Sequence, residues 1–217
     1  WLGTTILPQC LASFSMPNQP AINNLILKAA VKLKEIAGTT SFTEYQDGNP
    51  QTVLKQIAAI YAAIHEENLV YRSIPASYET VGQRITLADQ ILETKLANCI
   101  ELSLLMASAL EAVGIYSGIV ITKNHAFLSV WLDELCSQHG VLDDHVMDAS
   151  LTQLLTQLGV VSNADAVVSN NNTGQRRRDL LVQIGNKSLL SFQNLCTGQL
   201  KFTSFHLQIG FGKRLFM

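Results

Sequence analysis

The stretch from Asn98 to Leu132 constrains the fold more than any other part of the sequence, because a capped helix runs almost directly into two short β-branched segments. Asn98 can cap a helix start, and Glu101, three residues on, can reach back to close a capping box. The apolar run that follows ends at Gly114. The pattern then changes to Gly118-Ile119-Val120-Ile121 and Ala126-Phe127-Leu128-Ser129-Val130-Trp131-Leu132, separated by the polar turn Thr122-Lys123-Asn124, which predicts a β-hairpin. The stretch Ile100 to Thr122 is interrupted by Glu101 and Glu111 and holds two glycines, so it does not read as a bilayer span.

Upstream of this switch the chain reads as helical. From Ala21 to Ala37, the residues Ile22, Leu25, Ile26, Ala29, Ala30, Leu33 and Ile36 form a helical stripe, with Pro20 before it and Gly38 after it. Asn49 and Pro50 open a second helix with Val53, Leu54, Ile57, Ile60, Tyr61 and Ile64 inward. A loop from Glu66 to Gln83 precedes a third helix with Ile85, Ala88, Ile91 and Leu92 inward. Downstream, Val146-Met147 reads as a third short strand, and Ser150 as the cap of a brief helix through Leu158. Residues 163 to 175, rich in Asn, Ser, Thr, Gly and Ala, read as an exposed mobile loop. Alternation predicts strands over 180–184 and 201–209. The expectation is one α+β domain over 1–217, with a helical part at about 20–114 and a small antiparallel sheet within about 115–217.

Composition narrows the class. At 217 residues the chain can bury a core without disulfide staples. Hydrophobic residues make up 47% and the net charge is -2, which excludes a disordered chain or an obvious polyanion binder. Charged residues reach only 15%, against about 25% in ordinary soluble domains, so part of the surface is expected to be covered. The start at Trp1 carries no signal-peptide pattern and suggests a module of a larger protein. Cys10, Cys99, Cys136 and Cys196 form no CxxC pair, which points to reduced thiols and a cytoplasmic setting.

Chemistry concentrates at three residues: Cys99 in the first turn of a helix, His125 at the start of a strand and Asp148 at the end of the next one. A helix N-terminus supplies about half a positive charge where a thiolate would sit. An imidazole can take the thiol proton, and a carboxylate can fix the imidazole tautomer. Cys, His and Asp in this order suit papain-type acyl transfer. Each residue also has a structural explanation. Cys99 fits a small buried hydrophobe, His125 a structural histidine and Asp148 a helix cap. The three together, each in a suitable element, favour catalysis.

The same stretches resemble the transglutaminase-like cysteine-peptidase superfamily: Lys95-Leu96-Ala97-Asn98-Cys99-Ile100-Glu101, Leu110-Glu111-Ala112-Val113-Gly114, Asn124-His125-Ala126-Phe127-Leu128-Ser129-Val130-Trp131, and Met147-Asp148-Ala149-Ser150. With the upstream segments 11–18, 45–48 and 75–84, the chain is similar to a module within large bacterial helicase-like proteins linked to phage defence. The resemblance covers about positions 7 to 151. It implies a papain-like core with Cys99 as nucleophile, His125 as base and Asp148 as orienting carboxylate. The superfamily usually has a Gly-containing pair before the Cys and an Asp two residues after it, whereas here Ala97-Asn98 precede and Glu101 follows.

For the oxyanion, the Cys99 backbone N–H is the natural first donor and Gln83 a candidate second. Tyr71, Tyr78 and Trp131 are candidates for lining the substrate pocket, and each also fits plain core. Cys136, His139, Asp143, Asp144 and His145 lack a complete ligand set, so no metal site is expected. Arg176-Arg177-Arg178 beside Asp179 reads as a solvated face, so no direct nucleic-acid binding is expected. No cofactor is expected. The function expected is cysteine-dependent acyl transfer on a protein or peptide carboxamide. The alternative is a catalytically silent module docked on neighbouring domains.

Overall fold

The computed structural model describes residues 8–72, 82–121, 126–132, 134, 144–160 and 207–209. A 3₁₀ turn at Pro8–Phe14 leads into helix α1 (Pro20–Ala37), which starts on proline and closes on Gly38 in the left-handed region. Helix α2 (Pro50–Glu66) begins as its sequence dictates: the Asn49 side chain accepts from the Gln51 N–H, and Pro50 fills the first position, where no donor is needed. Its Val53, Leu54, Ile57, Ile60 and Ile64 are buried, and α1 packs along it through Ile22, Leu25 and Ala29.

The segment after α2 holds a structure that alternation could not reveal. Val70–Tyr71 forms strand β1, helix α3 spans Ala88–Thr94, and Leu96–Ala97 forms β2, which pairs with β1 in parallel. The register sets Tyr71 opposite Ala97, with Val70 N–H donating to Lys95 O (2.7 Å) and Arg72 N–H to Ala97 O (2.8 Å). Two-residue strands carry no period, so the sequence reads here as loop. Helix α4 (Cys99–Ala112) follows after one residue and is buried from Ile100 to Leu110, as expected of a helix apolar on all sides.

Gly114 ends this stretch at φ 75, and a Cβ there would lie 2.3 Å from the Glu44 carboxyl carbon, so only glycine fits. The expected hairpin is present as β3 (Ser117–Ile121) and β4 (Ala126–Val130), antiparallel from Ser117↔Val130 to Ile121↔Ala126. Both strands pack on α4. The Tyr45 ring stacks on Tyr116, and its hydroxyl donates to Trp131 O (2.9 Å) while accepting from Tyr116 N–H (3.0 Å), which ties the open end of the hairpin to the helices.

Two expectations are corrected. Val146–Met147 is not a strand: helix α5 runs unbroken from Asp144 to Gln157, so Ser150 lies inside it rather than capping it. Leu151, Leu155 and Leu158 are buried against the main core and seat the later turns of this helix and the residue after it. The sheet is mixed rather than wholly antiparallel, because β5 (Leu207–Ile209) pairs with β4 in parallel, Leu128 opposite Leu207. A parallel neighbour needs a long crossover, and the chain between β4 and β5 contains α5. The architecture is α+β. The expected strand over 180–184 and loop over 163–175 lie outside the described residues.

A candidate thiol site at the start of helix α4

Cys99 is the first residue of α4, and the chain around it is tightly enclosed. From Ala97 to Leu110 every residue is buried except Cys99, which keeps partial access. Its helix start is held by a reciprocal cap: Asn98 Oδ1 accepts from the Glu101 N–H (3.0 Å), and Glu101 Oε2 accepts from the Asn98 N–H (2.9 Å). Glu101 is fully buried, and its carboxylate does more than close the cap. Oε1 accepts from the Thr86 N–H (2.9 Å), and Arg72 Nη2 reaches both oxygens at 3.3 and 3.4 Å. One carboxylate thereby joins the residue after β1, the strand-free segment before α3 and the first turn of α4. A buried charge is tolerated when paired and hydrogen-bonded in this way.

The departures from the usual superfamily pattern are accommodated. Ala97 sits buried at the end of β2 in an ordinary backbone conformation, so no glycine is needed there. Glu101 supplies the carboxylate at the position where the superfamily has Asp, with Asn98 as its partner in the cap.

Tyr71 is the residue whose importance the sequence understates. Its ring packs against the main core, and the Cys99 thiol lies near its hydroxyl. Burial first, and the Cys99 thiol beside it second, push the Tyr71 hydroxyl up to about 12, so it stays protonated at neutral pH. Nothing in the sequence between Glu66 and Gln83 marks Tyr71 above Tyr78. The signal would have been the pairing of β1 with the two residues that precede the Asn98 cap.

On its other side Cys99 packs against a small cluster of Leu11, Ile100, Leu104 and Ala126, which Ile85, Ile119 and Ile121 also join. Ala126 closes the hairpin opposite Ile121, and the residue before it in the chain is His125, outside the described residues. Asp148 lies on α5, not at a strand end. Gln83 is buried, and its side-chain nitrogen donates to Arg84 O at 3.3 Å. Trp131 is not brought to the thiol: it follows the far end of β4, about 17 Å along the strand from Ala126, with its indole against Gly118. Tyr78, Cys136, His139, Asp143 and Arg176 to Arg178 lie outside the described residues.

Residues 40–139 match the family model of the transglutaminase-like superfamily, which spans α2 to the hairpin and includes Cys99. This stretch is similar to a transglutaminase-like domain. Comparisons with curated proteins and with solved structures give no match. The transglutaminase-like assignment fits what the chain builds here: a helix beginning on a cysteine, packed on an antiparallel hairpin. No helix among the described residues is long and apolar enough to cross a membrane.

Proposed function

We propose that this transglutaminase-like domain is a cysteine-dependent acyltransferase or amidase acting on protein or peptide carboxamides through Cys99, His125 and Asp148. The observation that carries the reading is the selective access of Cys99, the one accessible side chain in an otherwise buried run of fourteen residues at a rigidly capped helix start. A thiol serving only as packing has no reason to be the exception. The position of Ala126 in the cluster that Cys99 packs on supports His125 as its base.

In the reaction we infer, His125 takes the thiol proton and the thiolate attacks the carboxamide carbon. The S–C bond forms as the carbonyl π pair moves onto oxygen. Collapse re-forms the carbonyl, breaks the C–N bond and sends the proton from His125 to the departing ammonia or amine. Water or a second amine then resolves the thioester. Asp148 orients His125 in this scheme. We further infer, on the sequence resemblance, a cytoplasmic setting inside a larger helicase-like, phage-defence-associated parent whose neighbouring domains present the substrate.

The test is incubation with glutamine-containing peptides in the presence and absence of hydroxylamine, followed by mass spectrometry of the products and measurement of ammonia. Conversion that disappears in Cys99→Ala and falls by orders of magnitude in Asp148→Asn supports the triad. No conversion, with Cys99→Ala folded like the parent, favours a silent docking module.

A further inference from the structure

We propose that the 3₁₀ turn at Pro8–Phe14 forms one wall of the substrate site, where its Phe14, with Ile85, Ile119 and Ile121, selects carbonyl substrates that carry an uncharged aliphatic chain on the acyl side. This inference rests on Cys99 being the nucleophile and names the class of acyl group that its site takes.

The turn sits at the nucleophile's end of α4. Ile100, Leu104, Ser108 and Glu111 follow one another at helical spacing along one face of that helix. The N-terminal segment lies along the same face. Leu11 is buried with Ile100 and Leu104, the Met16 N–H donates to Ser108 Oγ (2.9 Å), and Ser15 Oγ donates to Glu111 Oε2 (2.7 Å). The turn itself is closed by the Ser15 N–H, which donates to Ala12 O (3.0 Å), and by Ser13 Oγ, which donates to Cys10 O (2.6 Å). Leu11 is thereby fixed at the first turns of α4, where Cys99 begins the helix.

Cys99, Phe14, Ile85, Ile119 and Ile121 all pack on the small cluster that Leu11 joins, and all of them stay partly exposed. They come from separate parts of the chain: the turn, the segment before α3, the start of α4 and strand β3, where Ile119 and Ile121 share one side. The accessible thiol therefore has a partly open apolar rim. Such a rim gains free energy when its apolar surface is covered, and the group placed to cover it is the one attached to the carbonyl that Cys99 attacks. A charged group would lose solvation there without gaining a partner from the cluster, because none of its members besides the thiol can carry a charge. The turn lies outside residues 40–139, so the stretch matched by the family model does not by itself supply this wall.

Three p-nitrophenyl esters test this wall: the acetate, the hexanoate and the adipate half-ester, which has the hexanoate's length but ends in a carboxylate. In each reaction the Cys99 thiolate attacks the ester carbon, the S–C bond forms, the C–O bond breaks, and p-nitrophenolate leaves an acyl thioester on Cys99. Rates are read at Cys99 by mass spectrometry, divided by the rate of glutathione with the same ester, with Cys99→Ala as background. In the parent, the hexanoate is expected to outpace the acetate by about tenfold, and the adipate half-ester to show no such gain. In Phe14→Ala the hexanoate-to-acetate ratio is expected to fall by about threefold or more. Equal rates for acetate and hexanoate in the parent, or an equal gain for the adipate half-ester, would overturn the proposal. A ratio unchanged in Phe14→Ala would remove the turn from the site and overturn it too, as would acceleration of both esters, which would show a turn that merely blocks the thiol. Absence of Cys99 acylation by every ester in the parent would instead remove the nucleophile reading, and this inference with it.

Discussion

Glu101 has no exposed surface, so its four hydrogen-bond contacts are a requirement. Glu101→Gln keeps the shape but replaces one acceptor oxygen with an NH₂ that must face N–H groups. The expected cost is about 2 kcal/mol, a fall in melting temperature of about 4–8 °C. A melting temperature unchanged in calorimetry would mean that the carboxylate is not what joins β1 to α4. Cys99→Ala removes only a small, partly accessible group, so its melting temperature should stay within about 2 °C of the parent. A large drop would mark a structural thiol.

Among the elements, α4 was legible in the sequence because its start is written in side-chain chemistry: Asn98 and Glu101 make the cap that their spacing predicts. The hairpin was legible for a similar reason, since β-branched runs on both sides of a polar turn have few other ways to fold. The β1–β2 pair was not, because strands of two residues have neither period nor turn signal, and their pairing is long-range. Tyr71 and Arg72 were hidden with it. At α5, the apolar pair Val146–Met147 looked like a strand when viewed alone, whereas it lies in the first turn of a helix that runs on to Gln157. Thr152→Pro distinguishes the two. In a helix capped by Ser150 it would occupy the tolerant first turn, but in α5 it is the ninth residue and should cost about 3 kcal/mol or more. A melting temperature close to the parent's would contradict the longer helix.

At the scale of the molecule, Glu67 clasps three elements. It follows α2 and bonds Lys28 of α1, and it also meets Lys95 after α3 at 2.6 Å. Burial pushes the Glu67 carboxyl up, but the hydrogen bonds and charges of Lys28 and Lys95 outweigh this and hold it below its usual value. A carboxyl lowered on folding stabilises above its unfolded pKa, and that contribution is lost as pH falls through the folded value. Both lysines are about half exposed, so solvent screening keeps the effect small. Glu67→Gln should therefore melt about 2 °C below the parent at pH 7, and the gap should close as pH drops below about 4. A gap that persists in acid would mean that the clasp acts by packing alone. The core itself runs through α1, α2, α4 and the hairpin, and its helical stripes were readable residue by residue. The assembly of Cys99 with Tyr71 was not, because their contact depends on how β1 meets the start of α4.

That Cys99 is an activated nucleophile is tested most directly by its rate of alkylation with iodoacetamide from pH 5 to 9, read peptide by peptide against the exposed Cys10 of the same chain. Activation by His125 predicts that Cys99 outpaces Cys10 by about tenfold or more at pH 6, and that His125→Ala removes this advantage. Equal rates for the two cysteines across the range, unchanged by His125→Ala, would contradict it.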